Sequence, residues 1–278
     1  MAPKKSTGEN VTSLNAQHPQ TVRSTGFFEY TEAIDRVFSE TQPASFADQT
    51  PVQLGLTSHH LPTAAPLIVR FYVTLQKQLG PRKTFVIVGP DHAERCPQYV
   101  TTTALPYQTP SGLLPIDPEV SATVQAAGAV ISEGCFVGEH STSVQAFFIR
   151  RSFPDALVVP ILLSSATSDE SLSRLAQALS AWSDSITVIG SVDFSHALPV
   201  DEARQRDAAT DQILLQQNVS SLTLDQVDSP PTVKLLYLLN QRLGNKPPVI
   251  FDHANTFDFT GAAENTTGYR NIMFFNSK

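Results

Sequence analysis

The sequence predicts an α/β fold: a single domain of three layers, αβα, with a largely parallel central sheet. Three observations point there. Five apolar, β-branched runs alternate with segments of helical length, the pattern left by parallel strands joined through crossover helices. Apolar residues make up 41% of the chain and charged residues 16%, which suits a sheet covered on both faces and is too hydrophobic for a disordered chain. At 278 residues the chain is long for one domain, but α/β proteins of this size often fold around one large core.

Along the chain, the first 20 or so residues, MAPKKSTGENVTSLNAQHPQ, are polar and aperiodic. They read as a flexible arm (1–20) ahead of the domain (21–278), with an inert His18 and no apolar stretch behind the lysines to act as an export signal. The expected strands are VQLGLTS, TFVIVG, ALVVPILL, SITVIGS and PVIFD. Between them APLIVRFYVTLQKQLG, DPEVSATVQAAGA, DESLSRLAQALSAW, ARQRDAATDQILLQQ and PTVKLLYLLNQRLG carry apolar residues at three-to-four spacing and are the expected helices. The tail TTGYRNIMFF is expected to add a last strand, antiparallel and at an edge.

Composition narrows the function. A net charge of −7 offers no basic stripe, so nucleic acid and anionic membrane surfaces are excluded as partners, leaving a small molecule or a peptide. No run approaches the roughly 18 apolar residues that span a bilayer. Two cysteines, Cys96 and Cys135, are too few for a disulfide scaffold and fit a reducing cytoplasm. Cys96 follows His92 by four residues but is expected to be carried off as a buried thiol. GPDH and TGAAENTTG lack the spacing of phosphate loops. Ser195 adjoins His196 without a GxSxG frame, which ranks hydrolysis third among the candidate activities.

Histidine placement is the informative feature. Apart from His18, every histidine falls at or just after a predicted strand end or in a loop. The carboxyl ends of strands form the ligand crevice of open α/β sheets, so groups there converge although distant in sequence. Four segments matter: LGLTSHHLP with His59 and His60, FVIVGPDH with Asp91 and His92, the loop GEHSTS with Glu139 and His140, and VIGSVDFSH with Asp193 and His196. A lone imidazole is more often a hydrogen-bonded structural group than a ligand. Four together point to a metal or acid/base site, since two histidines and a carboxylate are the set used by non-haem ferrous oxygenases, and a further histidine can shuttle protons.

At these same segments the chain resembles the Memo family, which includes the AmmeMemoRadiSam system protein B and is related to class III extradiol dioxygenases. VRSTGFFEYTEAIDRVFSE resembles the family's opening segment, GPDH its GPSH-type turn, GEHS its EHS loop, SVDFSH its SSDFSH-type motif and HANTFDFTGAAENTTGYRNIMFF its closing segment. The resemblance implies a class III extradiol dioxygenase-like fold and a pocket holding Fe(II), with copper or zinc as alternatives and a metal-free pocket as a further one. It implies His60 and His92 as metal ligands, because SHHLP aligns with an SH(I/V)P turn, leaving His59 to structure or to support of the ligands. His196 becomes the acid/base, with Asp193 before it and His140 beside it. Proteins of a radical-SAM system are implied as partners.

Two departures stand out. Where the family commonly has a cysteine ligand before a helix, this chain reads LDQVDSPPTVKLL. Asp228 is the nearest oxygen donor and can complete a two-histidine, one-carboxylate face; it also suits a helix N-terminus, and capping is the preferred role. His253 stands where relatives tend to have tyrosine and, beside Asp252, is expected to reach the same pocket. The expected function is a redox enzyme of dioxygenase type, or a non-catalytic adaptor using the same pocket.

Overall fold

The apolar runs do become the sheet. The computed structural model describes residues 21–23, 28–46, 52–79 and 83–275; the expected arm over 1–20, with His18, lies outside them. In chain order the elements are β1 (Val22–Arg23), α1 (Thr31–Glu40), β2 (Val52–Thr57), α2 (Ala65–Gln78), β3 (Thr84–Pro90), β4 (Val100–Thr102), β5 (Tyr107–Thr109), β6 (Gly112–Leu114) and α3 (Pro118–Ala126). They continue with β7 (Val130–Ile131), α4 (His140–Ser152), β8 (Leu157–Leu163), α5 (Asp169–Ser180), β9 (Ile186–Ser191), α6 (Val200–Leu215), α7 (Pro230–Arg242), β10 (Pro248–Asn255), α8 (Thr256–Thr260) and β11 (Gly268–Phe275).

The main sheet runs β10-β11-β2-β9-β3-β8-β4-β7. Its centre, β2, β9, β3 and β8, is parallel. Two apolar cores explain why these strands are hydrophobic throughout: Phe85 and Ile87 of β3 face α2 and α4, whereas Val86 and Val88 face α5 and α7. The architecture is therefore helix, sheet, helix. A small sheet, β1-β5-β6, packs over α4. Among the described residues no helix is long and apolar enough to cross a membrane.

Two expectations are corrected. The tail strand β11 is antiparallel, but it sits between β10 and β2; it is buried along its whole length, while the run PVIFD supplies the half-exposed outer strand β10. The segment GEHSTS is not a loop. His140 opens a helix whose N-cap Glu139 accepts from the Ser141 amide. Every residue from Ser141 to Ile149 is buried, so α4 shows none of the one-sided periodicity that marks surface helices.

Gly268 opens β11 against α6, and a Cβ there would lie 1.9 Å from Asp207 Oδ2. Asp207 cannot retreat: it is 2% exposed, accepts from the Ser195 amide and pairs with Arg270. Gly268→Ala is therefore expected to lower stability by about 1–3 kcal/mol, the usual cost of overpacking. A urea midpoint equal to wild type would contradict this close approach.

Candidate metal centre

The carboxyl ends of the neighbouring strands β2, β9 and β3 form the pocket, as the crevice rule requires. Past β2 stand His59 and His60, past β3 His92, and past β9 Asp193 and His196. The start of α4 brings Glu139 and His140. Asp228 precedes α7, whose own N-cap is Ser229, accepting from the Thr232 amide, with two prolines in the first turn. The cap is thus already supplied, and Asp228 turns into the pocket instead of serving as the cap.

Asp228 is where the imidazoles meet. Its Oδ2 lies 3.1 Å from His59 Nε2 and 3.7 Å from His92 Nε2. Among the described residues its buried Oδ1 has no hydrogen-bond partner, an expensive condition for a carboxylate. Asp228 and Asp193 are tied to each other: the Asp228 amide donates to Asp193 O, and the Asp193 amide to Asp228 Oδ2. Asp193 Oδ1 accepts from the His59 amide and from the Ser58 hydroxyl, and its Oδ2 lies 3.6 Å from His59 Nε2.

Hydrogen-bond directions fix the tautomer of His59. The single proton of Ser191 is committed to Ser141 O at 2.6 Å, and Ser191 Oγ also accepts from Gln145 Nε2. His59 Nδ1, 3.1 Å from the same oxygen, must then be the donor. That leaves Nε2 to face the two aspartates with its lone pair, or with a second proton where no cation is present.

His92 is braced by Glu139, which accepts from its amide and from Nδ1 at 2.8 Å. The ring of His140 stacks on His92 with centroids 4.2 Å apart. Close contact between Gly89 and α4 sets this arrangement: a Cβ at Gly89 would lie 2.7 Å from Ser141 Oγ. His59, His92 and His140 each offer a nitrogen within 4.8 Å of the others, and His59, Asp193 and Asp228 form a second such group.

Electrostatics follows from this crowding. Burial opposes charge on His92, but the hydrogen bonds to Asp228 and Glu139 outweigh it and raise its pKa from 6.5 to about 10. His59 is likewise disfavoured by burial and raised on balance by Asp193 and Asp228. Glu139, opposed by burial, is lowered to about 2 chiefly by His92, and Asp228 falls well below the carboxylate range beside His59 and His92. His140 is lowered to about 4 by burial and by the charges of His59 and His92. It is a neutral imidazole with a lone pair to offer.

The expected residues are placed as follows. His92, His140, Asp193 and Asp228 are brought together, with His196 at the margin, its Nε2 4.0 Å from Asp193 Oδ2. His60 is outside both donor groups; its Nδ1 contacts the Tyr269 hydroxyl at 2.7 Å, and its neighbour His59 occupies the position expected for it. His253 lies on β10 and lines a separate cavity of about 520 Å³ with Arg204, Asp211 and Asp258. Asp91 accepts from the Cys96 amide, and the Cys96 thiol is half-buried. Reasoning from sequence missed Glu139 as the brace of His92; its position as an N-cap beside two histidines was the available signal.

Because His92 is held by Glu139, any metal that His92 ligates should bind about 10- to 100-fold more weakly in Glu139→Gln, the usual effect of losing a carboxylate behind an imidazole ligand. The acid side should change too. A carboxylate depressed from 4.5 to about 2 contributes stability that is present above its ordinary pKa and lost as pH falls through about 2. The variant's stability should accordingly depend less on pH over that interval, measured by chemical denaturation of the metal-free protein; parallel profiles would contradict the pairing.

The chain has counterparts among known proteins. A family model described as Memo-like protein matches residues 30–257. A MEMO1 family protein of Caldivirga maquilingensis is 28% identical over 224 residues, covering 76% of this chain and 79% of its own. The MEMO1 family protein PAE0818 of Pyrobaculum aerophilum is 27% identical over 207 residues, 70% of this chain and 74% of its own. Among solved structures, the uncharacterized protein JW3007 from Escherichia coli K12 superposes with a TM-score of 0.49 at 13% identity, covering 80% of this chain and 99% of that one. With a match that spans most of its length and the curated relatives beside it, this chain belongs to the Memo-like protein family.

Proposed function

We propose that the pocket holds a divalent metal, ferrous iron in preference to copper or zinc, through His59, His92 and Asp228, and that the protein is a metal-dependent oxidoreductase acting on a small electron-rich molecule. The observation that carries this reading is Asp228: a buried carboxylate on which two imidazole nitrogens converge while its other oxygen has no hydrogen-bond partner among the described residues. Two imidazoles and a carboxylate suit ferrous iron and leave coordination positions open. The three-imidazole face of His59, His92 and His140 suits zinc or copper as well. When bound, ferrous iron supplies Lewis acidity and redox equivalents.

The chain's own residues do the rest. Ser191 and Glu139 keep the rings of His59 and His92 in fixed orientation through their Nδ1 atoms. His196, 45% exposed at its side chain, takes up a proton from the hydroxyl of a bound ligand. Asp193 faces its Nε2 and steadies the resulting charge. A second reading, a non-catalytic module for a peptide or small ligand, is favoured by one observation: His59 and His92 already lie against carboxylates, His59 Nε2 3.1 Å from Asp228 and His92 Nδ1 2.8 Å from Glu139.

Protein made without a histidine tag and reconstituted anaerobically with ferrous iron should retain about one ion per chain. His60→Ala should match it, and His59→Ala and His92→Ala should retain almost none. No retained iron in wild type would reject the enzyme reading and leave the binding module. Binding must displace protons from His59 and His92, so apparent affinity should rise with pH, about tenfold per pH unit for each proton released; a flat profile would contradict ligation by these imidazoles. Oxygen uptake with a panel of catechols should appear in wild type and vanish in His196→Ala, and absence of uptake with all of them would count against dioxygenase chemistry.

A further inference from the structure

His60, the histidine left outside the donor groups, is held by a relay of its own. Tyr269 Oη lies 2.7 Å from His60 Nδ1 and 2.8 Å from Thr256 Oγ1. Thr256 Oγ1 accepts from the Thr267 amide at 3.0 Å, and its one proton can go to Tyr269 at 2.8 Å or to Thr267 O at 3.4 Å. The shorter, hydroxyl-to-hydroxyl contact takes it. Tyr269 then donates its own proton to His60 Nδ1. A neutral imidazole that accepts at Nδ1 carries its proton on Nε2. Burial raises the Tyr269 pKa further, so the phenol stays a donor at neutral pH.

Adjacent histidines are therefore locked in opposite forms. Ser191 makes His59 a donor at Nδ1 and leaves its Nε2 to a cation; Tyr269 makes His60 an acceptor at Nδ1 and leaves Nε2–H as a donor. In this form His60 turns no free lone pair outward, in keeping with its place outside the two donor groups. No hydrogen bond to His60 Nε2 occurs among the described residues. The ring is only half-buried and lies within electrostatic reach of Asp193, His196 and His59.

We propose that His60 is the specificity-determining donor of this pocket: held by Thr256 and Tyr269, it presents Nε2–H to an anionic oxygen, carboxylate or phenolate, of the small molecule bound beside His59, His92 and Asp228. Tyr269 and Thr256 are positioning residues in this scheme. The pocket then selects small organic acids and phenols over neutral analogues of the same shape. This inference rests on the binding reading of the pocket above but not on the identity, or the presence, of the metal.

The test has two arms. Proton-nitrogen spectra of metal-free protein with labelled histidine should show His60 protonated at Nε2 and not at Nδ1, and Tyr269→Phe should convert it to a mixture of tautomers; a wild-type His60 protonated at Nδ1 overturns the proposal. Benzoate is then titrated while the His60 Nε2 signal is followed, in metal-free protein and in protein loaded with Co(II), whose visible absorption reports the metal independently. Benzoate should shift the signal. It should bind about 10- to 100-fold more weakly to His60→Ala, the effect of losing a hydrogen bond to a charged group. His60→Gln, which keeps an N–H donor, should recover part of the affinity, and benzamide should be indifferent to all three. Benzoate binding that ignores His60→Ala, or that is absent in both forms of the wild type, overturns the proposal. Failure of wild type to take up Co(II) overturns the metal reading alone, because the nitrogen spectra are read without it.

Discussion

Two buried acids, Asp193 and Asp228, stand against each other at the heart of the pocket, each with its backbone or side chain bonded to the other. Like charges in a dry interior are costly unless positive charge lies between them. His59 fills that place, 3.1 Å from one carboxylate and 3.6 Å from the other. Everything else in the site is arranged about this triplet. The register Thr57↔Ser191 between β2 and β9 fixes how the residues after the two strands face each other, and α7 begins where Asp228 can close the group.

The surrounding polar network keeps the triplet from rearranging. Gln145 of α4 donates to Ser58 O and Ser191 Oγ and accepts from the Tyr72 hydroxyl, so one amide joins both helices of that face to two strand ends. Asn271 of β11 accepts from Thr57 and donates to Leu67 O. Satisfied buried networks of this kind hold a single geometry, whereas a member left unpaired would cost more than it contributes. The Nδ1 donor role of His59, set by Ser191, is a product of the same bracing.

Much of the architecture was legible in the sequence, and the reasons are specific. Runs such as TFVIVG are apolar throughout because both faces of the central strands are covered, and that alone marks a parallel sheet. PVIFD has the same composition yet forms the outer antiparallel strand, since composition does not encode which neighbour a strand finds. Helix α4 was invisible because burial on all sides erases helical periodicity. The convergence of strand-end histidines followed from the crevice rule. The choice between His59 and His60 did not, because neighbouring residues past a strand end point in different directions and only the partners, Ser191 and Tyr269, decide which enters. Asp228 was misjudged as a cap although Ser229, one residue on, was already a good one.

The absence of a side chain at Gly89 has a mechanical meaning. With Ser141 seated directly on β3, the strand and the helix carry His92 and His140 as one stiff wall, and neither imidazole can give way without the other. An occupant of the pocket must therefore fit against that wall as it stands, because the wall cannot be reshaped one residue at a time.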